Sequence, residues 1–401
     1  MIEHSGVFAA ADRAASAYRY LPVDVPPGCA GLTAELEYDG GVLDLGCFGP
    51  AGFRGWSGGA RRRFTITPTW ATPGYLPGEL EAGEWRLALG LHRVPDDGLP
   101  WRVTVTFGSK EPPPVPAAPP LPERPPQRSL PAPDGMRWLA GDLHTHTVHS
   151  DGTLTVDELA GLAVAQGLDF LAVTDHNTTS HHASLAAAGA RAGLVLVPGQ
   201  EVTTYRGHAN AFGDIGWVDF RAPADSWVAS VAASGGLLSI NHPLGADCSW
   251  RQPLVCRPPL AEIWHWTWLD RRWGGPMAWW QAWDPGAVPV GGSDFHRPDQ
   301  IRLPGEPTTW VLADSDDAAP GDVDGVLAGL RAGRTAVSLG RLGPVLVRVG
   351  EELLALDAEG ALLADSTGRR QLVRSARDRF PAAPGPHWLE DGQTAVLALC
   401  G

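Results

Sequence analysis

From about residue 15 to 108 the chain alternates apolar and polar positions in short runs. Leu32 to Tyr38, Arg63 to Thr67, Trp85 to Leu89 and Trp101 to Thr106 each keep this period. Alternate residues of a strand face the same side, so a period of two predicts half-buried strands. Gly and Pro turns separate the runs, which predicts an antiparallel β-sandwich over residues 1–108. Asp39-Gly40 and Pro95-Asp96-Asp97-Gly98 suit hairpins, because an Asp-Gly pair tolerates the positive φ of a tight turn. Residues 109–136 break the pattern. They are dense in proline, including Pro112-Pro113-Pro114 and Pro119-Pro120, and predict an extended, semi-rigid linker.

From Met136 onward helix-length segments alternate with short apolar strands, the mark of an α/β domain, here taken as 137–343. Thr155-Val156-Asp157-Glu158 forms a capping box that opens a helix to about Gln166, with Gly167 as its stop. Strands are expected at 168–174, at 194–202 with an interruption at Pro198-Gly199, at 237–241, at 288–292 and at 308–312. Helices are expected at 183–192, 225–234 and near 323–332. Residues 344–401 return to strand-like alternation, either as a small added sheet or as strands packed on the N-terminal sandwich.

The polar residues gather where these strands end. His144 and His146 are separated by one residue and so project from one face, as paired metal ligands must. Asp151 follows in a Ser-Asp-Gly turn. Asp175-His176, Glu201, His242 and Asp294-Phe295-His296 stand at or near later strand ends. A lone His-x-His is as well explained by a polar loop, but recurrence at separate strand ends is hard to ascribe to chance. Parallel-stranded barrels build their sites at this edge, where the following loops converge. Imidazole and carboxylate donors suit Zn²⁺, Mn²⁺ or Fe²⁺, and a set without cysteine disfavours a closed structural zinc site. Neighbouring cations lower the pKa of a shared water to give hydroxide at neutral pH, and stabilise charge on the attacked group. Phosphate-ester hydrolysis matches this chemistry, and cleavage of an ester or amide carbonyl needs much the same machinery.

His-x-His with Ser-Asp-Gly, Thr-Asp-His, Glu201 with His208, Asn-His-Pro and Asp-x-His occur in this order, and over about 137–340 the chain resembles the PHP family, named after polymerase and histidinol phosphatase. The resemblance implies a distorted (β/α)₇ barrel with two to three divalent metals, Zn, Mn or Fe. It places His144, His146, Glu201 and Asp294 on a first metal. Glu201 bridges to a second, held also by His208 and His242, and Asp151, His176 and His296 hold a third. Glu201, Asp294 and His176 are the residues assigned to the catalytic step. Further motifs, Asp44-Leu45-Gly46, Gly52 to Gly58 and Ala71 to Gly78, resemble the β-domain that precedes the barrel in CehA/McbA-type metallohydrolases, a branch that includes a carbaryl hydrolase. A metal-dependent phosphoesterase using a metal-bridging hydroxide is therefore the leading expectation. A carbamate or carboxylic ester hydrolase is the alternative, and an inactive metal-binding regulatory or interaction module is a reading of another class.

Composition narrows the partners. The formal net charge of −14 over 401 residues argues against nucleic-acid polymers and anionic membranes. A small-molecule substrate, anionic or an aryl ester, is expected instead. The single lysine, Lys110, leaves no Walker-type phosphate loop. Cys29, Cys47, Cys248, Cys256 and Cys400 are odd in number and scattered, which suits free thiols in a reducing compartment. With no signal-like start and no apolar run of membrane-spanning length, the expected location is cytoplasmic.

Arg206 and Arg297 flank ligand positions and could clamp an anion with planar, bidentate donors, surface ion pairing being the alternative. His181, Arg54, Trp56 and His149 are further candidates for substrate contact, with loop or core roles as the competing reading. Trp264, Trp266, Trp268, Trp273, Trp279, Trp280 and Trp283 crowd one segment. They form either an aromatic wall for an apolar substrate or a packing face against the sandwich.

Overall fold

The computed structural model of the chain describes residues 1–114, 117–265, 275–314 and 322–401. These fall into two units. The first comprises Met1–Ala118, Thr147–Thr153 and Asp175–Ala183, the second Pro119–His146, Leu154–Thr174 and Ser184–Gly401.

The first unit holds the strands β1 (Ile2–Phe8), β2 (Tyr18–Val25), β3 (Leu32–Tyr38), β4 (Val42–Gly49), β5 (Gly52–Trp56), β6 (Arg63–Ile66), β7 (Gly83–Arg93) and β8 (Leu99–Phe107). They form two 4-stranded sheets, ordered β1-β8-β3-β6 and β2-β7-β4-β5. Alternate residues enter one shared core: Leu32, Ala34 and Leu36 from β3, Leu43, Leu45 and Cys47 from β4, Leu87 and Leu89 from β7, Val103 and Val105 from β8. The two expected hairpins are corrected by this pairing. Asp39-Gly40 connects β3 to β4, and Pro95 to Gly98 connects β7 to β8, and in each case the two strands lie in different sheets. A positive-φ turn reverses the chain, but the apolar faces decide which sheet the next strand joins. The short helix α1 (Ala10–Ala15) and strand β1 precede the span in which alternation is legible, and β1 is largely exposed.

The second unit is organised by one long sheet. Its strands are β9 (Met136–Asp142), β10 (Phe170–Val173), β11 (Val195–Thr204), β12 (Gly207–Phe212), β13 (Leu237–Ile240), β14 (Leu260–His265), β15 (Val288–Gly292), β16 (Thr308–Asp314) and β17 (Thr335–Ser338). β9, β10 and β11 run parallel, as do β13, β14 and β15. Between the two sets β12 pairs antiparallel with both β11 and β13. The expected strict alternation of strand and helix is thus interrupted by a hairpin at Tyr205-Arg206-Gly207, where Gly207 has φ +117. Just beyond the strand ends, Thr145 bridges Phe295, so the first and last members of the β9 to β15 run meet. β11 continues through Pro198-Gly199 without the expected break. Gly199 marks a close approach instead: a Cβ there would lie 2.8 Å from the Thr174 methyl.

The helices α2 (Val156–Ala165), α3 (His182–Ala192), α4 (Ala224–Ala233) and α6 (Val323–Arg331) lie close to their expected spans, whereas α5 (Gly275–Trp283) is a helix that the pattern did not predict. Thr155 caps α2 in a capping box with Glu158. Among the described residues no helix is long and apolar enough to cross a membrane.

The last segment belongs to the second unit. Strands β18 (Val345–Val349), β19 (Glu352–Leu356) and β22 (Arg377–Pro381) form a 3-stranded sheet. The others, β20 (Leu362–Asp365), β21 (Arg370–Leu372), β23 (His387–Glu390) and β24 (Val396–Cys400), extend the long sheet through the pairing of β24 with β17. The second half of the proline-rich stretch is pinned to the same unit. Arg124 donates to the Leu168 carbonyl, and Arg128 donates to the carbonyls of Arg341 at 2.7 Å and Gly343 at 2.6 Å.

In the tryptophan-rich segment the structure describes Trp264, Trp279, Trp280 and Trp283. Trp264 and Trp280 are buried with Ile263, Val337, Trp388 and Leu399, all within the second unit. Trp280 Nε1 donates to the Ala287 carbonyl at 3.0 Å. Trp279 stacks on Trp283, and Arg257 lies over the Trp283 ring. Trp266, Trp268 and Trp273 lie outside the described residues. Trp280 is therefore a core residue, and Trp280→Ala should lower unfolding stability by about 3–5 kcal/mol. Urea unfolding followed by tryptophan fluorescence measures this, and an unchanged midpoint would contradict the core assignment.

Candidate metal centre

The second unit gathers its histidines and carboxylates where β9, β11, β13, β14 and β15 end. Asp142, the last residue of β9, sets the geometry. Its fully buried carboxylate accepts from the backbone N–H groups of His144 at 3.0 Å, Ser293 at 3.1 Å and Gly305 at 2.8 Å. Burial outweighs these bonds and pushes its pKa up to about 6. The clamp ties the end of β9 to the end of β15. His146 N–H then donates to the Phe295 carbonyl at 2.8 Å, and Thr145 Oγ1 to the Ala172 carbonyl at 2.6 Å. With Thr145 turned away, His144 and His146 face the same side, as their spacing predicts.

Glu201 is the hub. It is fully buried, and its Oε1 lies 3.2 Å from His144 Nε2, 3.1 Å from His208 Nδ1 and 3.4 Å from His242 Nε2. Asn241 Nδ2 donates to the same oxygen at 2.8 Å, and Oε2 lies 3.6 Å from His146 Nε2. Asp294 is the second anchor. Its Oδ1 is 2.9 Å from His146 Nε2 and 3.2 Å from His144 Nε2. His296 lies beside it, with Nδ1 2.8 Å from the Asp294 carbonyl and its ring stacked on His146 at 4.2 Å. His242 and Asp294 both take positive φ, +25 and +50. Such backbone is unfavourable for residues with a Cβ and persists where surrounding contacts impose it, commonly at functional sites.

Two residues of this cluster escaped the sequence reading. Glu262 Oε1 lies 2.9 Å from His144 Nδ1, and His265 Nε2 lies 3.2 Å from Asp294 Oδ2. Both are buried on β14, three positions apart. In a regular strand an odd separation sends side chains to opposite faces. The β14–β15 register shifts between Glu262 and Trp264, and this irregularity brings both to one site. Alternation alone could not have paired them. Gly292 completes the packing, since a Cβ there would lie 2.4 Å from both Glu262 Oε1 and His144 Cβ.

Electrostatically the cluster suits cations. Burial opposes charge on His144, yet Asp294, Glu201 and Glu262 outweigh it and hold its pKa well above the ordinary imidazole range. His242 is raised in the same direction, burial again being outweighed, chiefly by hydrogen bonds and the charge of Glu201. Asp294 is held well below the ordinary carboxylate range, as His144 and the hydrogen bonds from His146 and His265 outweigh burial. The buried Nε2 of His144 has no hydrogen-bond partner, although Glu201 and Asp294 oxygens lie 3.2 Å from it. A ring nitrogen so placed among carboxylate oxygens is a fitting metal donor. The ligand atoms of His144, His146 and Glu201 lie within 4.8 Å of one another, as do those of His144, His242 and His265. Nitrogen and oxygen donors without thiolate match divalent zinc, manganese or iron.

The first unit carries Asp151 and His176, 3.6 Å apart. Their two loops hang on the buried carboxylate of Asp175. It accepts from Thr147 N–H at 2.8 Å, Thr147 Oγ1 at 2.6 Å, Ser150 N–H at 3.0 Å and Ser150 Oγ at 2.7 Å. His181 is fully buried with Nδ1 3.2 Å from Asp175. His149 Nδ1 lies 2.7 Å from Ser180 Oγ, and burial lowers its pKa. The Ala71 to Gly78 motif braces the same loops. Gly74 N–H donates to Ser180 Oγ at 3.0 Å, and Thr178 Oγ1 donates to the Gly74 carbonyl at 2.9 Å. Arg61 donates to the carbonyls of Ser150 and Val148.

Arg54 donates to the Glu79, Leu76 and Gly78 carbonyls and lies over the Trp85 ring at 4.6 Å. Trp56 is buried. Arg206 and Arg297 are exposed, Arg206 donating to the Arg251 carbonyl and Arg297 pairing with Asp299.

Residues 142–241 match the PHP domain family. A stretch of 65 residues is 45% identical to the 5'-3' exoribonuclease Rnm of Escherichia coli, covering 16% of this chain and 22% of that protein. A stretch of 62 residues is 45% identical to the 3',5'-nucleoside bisphosphate phosphatase of Chromobacterium violaceum, again covering 16% and 22%. The chain thus spans about a fifth of the length of the curated relatives it matches. A two-domain Bacteroides vulgatus protein containing a predicted PHP-like metal-dependent phosphoesterase superposes with TM-score 0.45 and 19% identity, over 69% of this chain and 98% of that one.

Two outcomes test these assignments. Gly74→Ala places a Cβ 2.7 Å from the Trp56 carbonyl and 2.8 Å from that of His149, at φ +98. It should loosen the loops at 147–153 and 175–183, seen as faster amide hydrogen exchange there, and unchanged exchange would remove the bracing role. Glu201→Gln keeps the shape of the hub but removes its charge. Its bound zinc, measured by elemental analysis after dialysis, should fall to less than half the wild-type content. Full retention of zinc would show that Glu201 is not the shared ligand.

Proposed function

We propose that this chain, built around the PHP domain of residues 142–241, is a metal-dependent hydrolase that cleaves a phosphate ester of a small, anionic substrate. The observation that carries the proposal is Glu201, a fully buried carboxylate with one oxygen within 3.4 Å of nitrogens from three histidines. His144, His146, Glu201 and Asp294 are assigned to one divalent ion and Glu201, His208 and His242 to a second. Asp151 and His176 are assigned to a further ion, and His296 is kept as a ligand. The ions would supply water activation and neutralise charge at the attacked phosphorus. The chain's own residues fix this chemistry in place. Glu201 and Asp294 hold the imidazoles in register, Asp142 fixes the strand ends, and the buried surroundings exclude bulk water. The exposed guanidiniums of Arg206 and Arg297 are proposed to attract the anionic substrate. The barrel of the family, modified by the β12 hairpin, is the architecture we assign to β9 to β15.

A small substrate agrees with the net charge of −14, which opposes polymeric nucleic acid. The carbamate or carboxylic ester alternative rests on the resemblance to the carbaryl-hydrolase branch and on the tryptophan-rich segment, of which Trp264 and Trp280 are core residues and Trp266, Trp268 and Trp273 lie outside the described residues. The five cysteines are free thiols, in keeping with a cytoplasmic setting.

The test is a parallel assay of purified protein of known metal content against a nucleoside 3',5'-bisphosphate, an aryl phosphate, an RNA oligonucleotide and an aryl carboxylic ester. Phosphate release from the small esters is expected, lost by at least a hundredfold in Asp294→Ala. Turnover of the aryl ester alone would overturn the phosphoesterase reading. Stoichiometric metal with no turnover of any of the four would favour a binding module.

A further inference from the structure

We propose that Glu262 is the positioning residue of the metal centre, fixing the ring of His144 and the backbone of His242 at once. The inference rests on the metal centre proposed above. His144 Nδ1 lies 2.9 Å from Glu262 Oε1, and the backbone N–H of His242 donates to Glu262 Oε2 at 2.7 Å. A carboxylate only accepts, so His144 must present Nδ1–H to it. That leaves Nε2 as the donor nitrogen aimed at Glu201 and Asp294, each with an oxygen 3.2 Å away. Carboxylates behind metal-ligating histidines set tautomer and ring orientation in this way.

The other oxygen acts on a different ligand. His242 sits at φ +25, a backbone conformation that L-residues seldom adopt. The Glu262 bond meets this residue at its N–H and helps hold the turn that presents the ring to Glu201, 3.4 Å away. One side chain thus couples the two proposed metal positions that share Glu201. The surrounding residues are shaped for it. Glu262 is buried at 2% exposure, and Gly292 supplies the space its carboxylate occupies against His144. The register shift in β14 delivers it to this face.

Glu262→Gln is the informative change because it keeps size and shape. If the amide oxygen accepts from the His242 N–H, the NH₂ group faces His144 Nδ1, which must then be the acceptor. His144 Nε2 would carry the proton, the wrong tautomer for coordination. Zinc affinity, measured by competition with a chromophoric chelator, should fall 10- to 100-fold. The melting temperature of the metal-free protein should stay within a few degrees of wild type. Zinc affinity within twofold of wild type would overturn the proposal. An equal loss of melting temperature in metal-free protein, with affinity unchanged in the folded fraction, would assign Glu262 a packing role and overturn it as well.

A second measurement uses wild-type protein alone. In the zinc-loaded form, ¹⁵N spectra of the histidine rings should show His144 protonated at Nδ1 and bound through Nε2. Coordination through Nδ1 would refute the proposal whatever the variant does. Wild-type protein that binds no zinc would instead fail the metal-centre reading itself, and the two failures are distinct.

Discussion

A carboxylate removed from water must be matched by positive charge or by donors, and Glu201 is the place where this constraint falls hardest. It is fully buried, yet carries His144, His208, His242 and Asn241 around one oxygen. Leaving such a group unmatched costs several kcal/mol. The strands that supply the partners must therefore end in register. Asp142 ties β9 to the segment after β15, Thr145 bridges Phe295, and the β12 hairpin brings His208 alongside β11. The positive φ of His242 and Asp294 is a local cost of the same demand. The sheet order is what allows residues as far apart along the chain as His144 and Asp294 to share one cluster of charge.

The first unit meets an analogous problem with Asp175. Four hydrogen bonds from Thr147 and Ser150 satisfy this buried carboxylate and fold the loop that carries Asp151. Gly74, Arg61 and Thr178 then connect these loops to the two N-terminal sheets. The Ala71 to Gly78 motif is thereby explained by packing: Gly74 has positive φ and no room for a Cβ. The N-terminal sheets and the loops bearing Asp151 and His176 fold as parts of one unit, although they lie far apart along the chain.

Much of this was legible in the sequence, for identifiable reasons. His144 and His146 obey strand alternation, α2 announces itself by its capping box, and β15 was bounded correctly at Val288 and Gly292. Failures came where tertiary contacts override local pattern. Asp39-Gly40 signals a reversal but not the sheet that receives the next strand. Pro198-Gly199 looks like a break, yet the glycine is there for Thr174. Glu262 and His265 share a site only through an irregular register, which no period of two can reveal. Tryptophan density left an aromatic wall and a packing face open, and for Trp264 and Trp280 it is packing, against residues of β17, β23 and β24.

Charge balance in the centre has a further consequence for stability. When no cation is bound, protons take its place: Asp294, Glu201 and Glu262 overcome burial and raise the pKa of His144, and hydrogen bonds and Glu201 do so for His242. A raised folded-state pKa means that the folded form binds the proton more tightly. This contribution is full below the ordinary imidazole value and is lost as pH rises through the raised one. Asp294 and Glu262, held below the ordinary carboxylate range, act in the opposite sense. Their contribution is present above the unfolded value and disappears as pH falls through the lowered one. These four groups therefore stabilise the fold best in the interval between these limits, where Asp294 and Glu262 are ionised and His144 and His242 protonated. Burial lowers the pKa of His265 and raises that of Asp142, both in the opposite sense. A divalent ion would replace those protons with a charge that does not titrate away, so metal binding and proton release are two sides of the same buried balance.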